Sequence, residues 1–231
     1  IGYQAMTVNT AGGEYNVAIG NYVLDALTSG DYNTAVGNSA MTSCTTGAKN
    51  TALGRNSLGT LTTGTNNTAV GRNSLFESTT GSRNTAIGDN AGFNLTTGSH
   101  NVALGEEALL TATTVDANVA IGRQALKVTV GAQNTAVGNQ AMLANTTGAN
   151  NVAVGINALA ANTTGDYSVA IGRNALAANT TVDTNVAVGY GTLQANSTGG
   201  ANTALGYASM LANTTGASGT AIGYTAMLAN T

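Results

Sequence analysis

An all-β fold, a parallel β-solenoid, is what this sequence predicts. Three observations lead there. One 17-residue period fills the chain, each period carries a short alternating β-branched segment, and Gly-rich turns separate these segments. The composition agrees. The 231 residues include 31 Gly, no Pro, no Trp and only 7% charged residues, against roughly 25% in an ordinary soluble domain. A compact core built on large apolar side chains is not expected, because Ala supplies much of the hydrophobic fraction.

The tripeptide Ala-(Ile/Val/Leu)-Gly marks the register. Its glycines run from Gly2 and Gly20 to Gly223, spaced 18, then 17 six times, then 16, then 17 five times. Reading down the stacked units shows what each column demands. Two before the marker is Ala in all thirteen full copies, and one before is always Ile, Val or Leu. Three before is Val or Thr. Four before is Asn in eleven of thirteen, with Ser168 and Gly219 as exceptions. Four after is Leu or Met, except at Gly92.

Asn-Thr-Ala-Val-Gly alternates with period two and is rich in β-branched residues, so it predicts a strand. The segment carrying Leu or Met predicts a second short strand. Gly-rich turns such as Thr146-Thr147-Gly148 join them. Seventeen residues are too few for a helix pair or a propeller blade, and suit one lap of a solenoid. Like residues then stack into ladders, and stacked Asn amides hydrogen-bond along the axis. A lone lap offers about three core side chains at roughly 1.5–3 kcal/mol each. Backbone ordering costs about 1–2 kcal/mol per residue. Stacking must therefore supply the rest. At ~4.8 Å per lap, the full array of about 13 laps (1–231) would extend roughly 60 Å. The short lap after Gly122 has Val-Thr-Val-Gly131, which places its missing residue near the turn. The chain begins and ends inside a repeat, so the expectation is an excerpt of a longer polypeptide.

The Ala column never drifts, which points to close packing against it. With Val and Ile assigned to the core face, the Ala face is expected to meet a second copy of the chain. The candidates for a three-fold interface are Ala18, Ala35, Ala52, Ala69, Ala86, Ala103, Ala120, Ala136, Ala153, Ala170, Ala187, Ala204 and Ala221.

Asn134–Ala141 (Asn-Thr-Ala-Val-Gly-Asn-Gln-Ala) and Ser168–Ala175 (Ser-Val-Ala-Ile-Gly-Arg-Asn-Ala) resemble the head repeats of trimeric autotransporter adhesins, the YadA-like family. The Asn-Thr-Thr-Gly extension also resembles repeats of phage tail fibres. The resemblance recurs over essentially the whole chain. It implies a left-handed parallel β-roll, a homotrimer, and work as a fibre or adhesin. The period is longer than the family's usual one, and no neck, coiled-coil stalk or membrane anchor is seen.

Little in the sequence suggests catalysis, and the expectation is a protein that is not an enzyme and uses no cofactor or metal. His100 is the only His, which excludes a multi-His metal site within one chain. Five carboxylates share the column six before the marker: Glu14, Asp31, Asp116, Asp166 and Asp183. They read as turn residues, or as a sparse calcium ladder. Asn145, Asn162, Asn179, Asn196 and Asn213 open Asn-x-Thr sequons, read as repeated turn residues or as glycan acceptors. Cys44 is a lone thiol. The column just after the marker varies most. Its Tyr3, Arg55, Arg72, Arg123, Arg173, Tyr190, Tyr207 and Tyr224 are the candidates for contact with a receptor or glycan. The net charge of −3 gives no basic footprint for nucleic acid, and no apolar run of about 20 residues predicts membrane insertion.

The function these features predict is a structural or adhesive segment of an extended, extracellular, homotrimeric fibre. A phage tail fibre comes first and a bacterial surface adhesin or filament second. An ice-binding solenoid with Thr ranks is the alternative of another class.

Overall fold

The structure, a computed structural model, describes residues 1–8 and 12–228. The chain forms two compact units, Ile1–Ala117 and Asn118–Thr231. The first holds β1 (Val17–Ile19), β2 (Thr34–Val36), β3 (Thr51–Leu53), β4 (Thr68–Val70), β5 (Thr85–Ile87) and β6 (Val102–Leu104). The second holds β7 (Val119–Ile121), β8 (Thr135–Val137), β9 (Val152–Val154), β10 (Val169–Ile171), β11 (Val186–Val188), β12 (Thr203–Leu205) and β13 (Thr220–Ile222). Within each unit, consecutive strands pair in parallel, one lap apart and in register. Each unit is a parallel β-solenoid with 17-residue laps. Val119 pairs with Thr135, so the short lap keeps strand register.

That lap loses its residue at the outward tip of the turn. Asn145 Nδ2 donates to Thr129 Oγ1 at 3.2 Å, and Val130 N–H to Thr146 O at 2.6 Å, both sixteen residues apart. Gly131 then sits under Gly148. The deleted position is therefore the exposed Thr that Thr147 occupies one lap later.

Among the described residues only one strand forms per lap; the expected second strand does not. The Leu/Met segment is bent by left-handed residues two and four after the marker, such as Asn56 (φ 58°) and Leu58 (φ 50°). A third lies five before it, such as Lys49 (φ 60°). Non-Gly residues adopt this region rarely, at roughly 1–2 kcal/mol each. Here the bend redirects backbone donors along the axis. Asn56 N–H donates back to Asn38 O at 3.0 Å, and Leu58 N–H donates forward to Ser74 O at 3.0 Å. Thr60 and Thr62 continue forward to Phe76 O and Thr79 O. The segment thus pairs lap to lap without extended geometry.

The marker glycines have a steric cause. Gly88 has φ +138°, and a Cβ there would lie 2.7 Å from the Gly105 carbonyl. Backbone packs on backbone at this corner, and L side chains do not fit.

The alanine rank lies inside. Ala35, Ala52, Ala69, Ala86 and Ala103 of the first unit are buried within the chain itself. So are Ala120, Ala136, Ala153, Ala170, Ala187, Ala204 and Ala221 of the second, while Ala18 in the first lap is half-buried. This corrects the expected interface: the alanines face their own coil and are not available to a second copy. The physical reason is thickness. Across the lap, Leu or Met four after the marker fills the interior, as at Leu58 and Leu159, where the composition led us to expect no core of large apolar side chains. Only a methyl group fits opposite it. The bulkier residues of the strand therefore point outward.

Candidate functional site

Two sets of polar residues maintain the interior. In the first unit, each Asn four before the marker accepts from the next Asn backbone N–H. Asn33, Asn50, Asn67 and Asn84 do so with distances of 2.9–3.0 Å. Each amide also reaches across the coil to a turn carbonyl, as Asn84 Nδ2 does to Gly98 O at 2.7 Å. The second unit repeats this, for example with Asn134 and Asn151. These Asn residues are buried, and their amides satisfy backbone groups that would otherwise be costly orphans.

The column seven after the marker differs between the units. In the first it reads Leu27, Cys44, Leu61, Ser78, Leu95 and Ala112, alternating large and small. In the second, after Thr129, it is a second Asn ladder from Asn145 to Asn213. Asn162 Nδ2 donates to Asn145 Oδ1 at 2.8 Å and to Gly165 O at 3.0 Å. The sequon asparagines are this ladder, with no exposed surface. Glycan attachment would require opening the core. Cys44 is also buried, and desolvation raises its thiol from 9.0 to about 11.

Other candidates resolve into turn structure. Asp31, Asp116, Asp166 and Asp183 each accept a backbone N–H from the preceding lap at 2.6–2.8 Å. Ser82 and Ser99 do the same with hydroxyls. Among the described residues, no group of three or more His, Cys, Asp or Glu is placed to hold a metal ion. No helix of the described residues is long and apolar enough to cross a membrane. His100 is exposed, with Arg83 Nη1 lying 3.2 Å from its Nε2. At most laps the Thr hydroxyl eight after the marker donates to the next lap, as in Thr62 Oγ1 to Thr79 O at 3.0 Å. The Thr residues one further on, such as Thr63 and Thr80, are exposed.

Two surfaces remain. One is the outer face of the sheet. It carries Val or Thr three before the marker and Val, Ile or Leu one before it, at every lap of both units. These side chains are partly or largely exposed, including Ile87 at 44% and Leu205 at 45%. Within each unit the result is an aliphatic stripe with no covering element among the described residues. The other is the variable column just after the marker. Arg55, Arg123 and Arg173 are exposed there, and Tyr3 meets Tyr22 edge-on at 5.5 Å. Arg72 forms a two-pronged ion pair with Asp89 at 2.7–2.9 Å. Hydrogen bonding from Arg72 holds the Asp89 carboxyl below its ordinary range. Tyr190, Tyr207 and Tyr224 stack in a ladder with centroids 5.1 and 5.3 Å apart.

Comparison of the chain with protein-family models, curated proteins and solved structures finds no match.

Sequence reasoning missed the aliphatic stripe because it placed Val and Ile inside. The signal was present: a coil with Leu or Met on one wall has no room for branched residues on the other.

Proposed function

We propose that this chain is the structural shaft of a homotrimeric extracellular fibre, joined through the aliphatic stripe. The observation that supports this reading is the repetition of half-exposed Val, Ile and Leu at every lap, outside an interior that buries Ala, Leu, Met and Asn. Soluble monomers rarely leave large contiguous apolar patches open. Completing the burial of each Ile or Leu contributes roughly 1 kcal/mol, and the contribution recurs per lap. Three identical chains around one axis would cover the stripe with closed symmetry. The proposed role is mechanical, holding an adhesive or tip region away from a virion or cell, with weak contacts multiplied by repetition. A phage tail fibre is the first reading and a bacterial surface adhesin the second.

The experiment is light scattering on the purified chain, with Ile87→Lys and Ile171→Lys as variants. The expected result is a trimer for the parent and a shift to smaller species for the variants, with circular dichroism unchanged. A folded, soluble monomer as the parent's only state would refute the reading. The ice-binding alternative rests on the exposed Thr rank that includes Thr63 and Thr80. It predicts thermal hysteresis from a monomer, and the same samples measure both.

A further inference from the structure

The tyrosines of this chain are distributed in a chemically suggestive way. Tyr190, Tyr207 and Tyr224 occupy one column on consecutive laps, and their rings lie within 7° and 12° of parallel. Tyr15 and Tyr32 make a second such pair, with centroids 4.9 Å apart and an interplanar angle of 8°. All five rings are exposed, from 44% at Tyr190 to 76% at Tyr224. The rings of each stack lie nearly parallel with centroids 4.9–5.3 Å apart. Small ring motions are enough to bring the carbons beside the phenolic oxygens of neighbouring laps together.

The surroundings direct oxidation to these rings. The chain has no Trp to intercept a one-electron hole. Its single thiol, Cys44, is buried and held protonated, so thiolate is not on hand to quench a tyrosyl radical. Tyr167 supplies an internal contrast. It is exposed, but the same column holds Asn150 one lap before and Thr184 one lap after.

We propose that the stacked tyrosines are sites of oxidative cross-linking between laps, forming dityrosine within one chain. The oxidant is hydrogen peroxide acting through a haem peroxidase. Each of two phenols loses one electron and one proton, giving two phenoxyl radicals. These couple through a new bond between the ring carbons ortho to oxygen. The two ortho hydrogens then move through solvent to the phenolic oxygens, restoring both aromatic rings. One peroxide takes up the two electrons and two protons and leaves as two waters. The product staples one lap to the next on the outside of the coil. In any one molecule, Tyr207 couples with Tyr190 or with Tyr224. This chemistry goes beyond the fibre reading and does not depend on it.

The test treats the full chain with a haem peroxidase and hydrogen peroxide. It reads dityrosine fluorescence, migration on a denaturing gel, and the cross-linked peptides by mass. The expected product runs as a single chain and carries links at Tyr15–Tyr32 and at Tyr190–Tyr207 or Tyr207–Tyr224, each lighter by two hydrogens. Tyr207→Phe keeps an aromatic ring in the stack, yet removes both links of the second unit and leaves Tyr15–Tyr32 unchanged. Tyr167→Phe changes nothing. Unfolding in urea before oxidation abolishes the preference, so that Tyr167 joins in. Three results would overturn the proposal: dityrosine confined to species of more than one chain, links to Tyr167 in the folded chain at equal yield, or no dityrosine where free tyrosine in the same tube couples.

Discussion

Serine in place of a ladder asparagine should cost much more in the first unit than in the second. In the first, Asn84 makes two kinds of bond. Its Oδ1 accepts from Asn101 N–H at 2.9 Å, and its Nδ2 donates to Gly98 O at 2.7 Å. A serine retains the first, as Ser168 Oγ does in accepting from Asn185 N–H at 3.3 Å. It cannot reach the turn carbonyl. Seven after the marker this lap has Leu95, so Gly98 O has no second side-chain donor and is orphaned in the core. In the second unit, Gly165 O accepts from Asn151 at 2.7 Å and also from Asn162 at 3.0 Å. The lap at Ser168 already works this way, with Val182 O served by Asn179 Nδ2 at 3.0 Å. Asn84→Ser should therefore cost about 1–3 kcal/mol, the penalty for an unsatisfied buried acceptor, and Asn151→Ser about 1 kcal/mol or less. Urea denaturation followed by circular dichroism measures the total. Hydrogen exchange at the Asn101 and Ser168 amides localises it. Pairing Asn151→Ser with Asn162→Ala should expose a coupling of about 1–2 kcal/mol. Equal losses for the two single variants, or a larger loss for Asn151→Ser, would refute the account of two donors sharing one carbonyl.

Gly88→Ala should disrupt its corner. The new Cβ meets the Gly105 carbonyl at 2.7 Å and Glu106 N at 3.1 Å, at a φ that L residues avoid. Strain and overpacking together predict a loss of roughly 3 kcal/mol or more, read as a drop in urea midpoint. Cys44 should make stability fall at high pH. Burial raises its folded value from 9.0 to about 11, so the unfolded chain loses the proton first. The contribution is complete below pH 9.0 and is lost as pH rises towards 11, about 2–3 kcal/mol in all. Cys44→Ala should lack that decline when denaturation is followed across the same pH range.

The period, the marker glycine and the Asn ladder were legible because each repeats at a fixed offset, and repetition needs no knowledge of which way a side chain points. Orientation was harder. Alternation assigns Thr34 and Val36 to one face and Ala35 to the other, without saying which face is inside. The size rule that places branched residues in cores fails in a coil this thin, where Met41 and Leu58 already fill the interior. The left-handed residues were invisible for a different reason. At Leu58 and Lys49 the conformation is imposed by lap-to-lap hydrogen bonds, and neither residue type favours it. The second Asn ladder was in plain view as sequons, but its burial follows only from the fold.

The alternation of Leu27, Cys44, Leu61, Ser78, Leu95 and Ala112 gives the first unit a parity. Removing one repeat there would bring leucine above leucine, or leave two small side chains facing an empty space. Excising or duplicating a pair keeps the rhythm. The Asn145–Asn213 stretch has no such rhythm, since every rung is alike, and it can lengthen or shorten by single repeats. Deletion or duplication of repeats is therefore predicted to follow different counting rules in the two units, even in the first and unrestricted in the second.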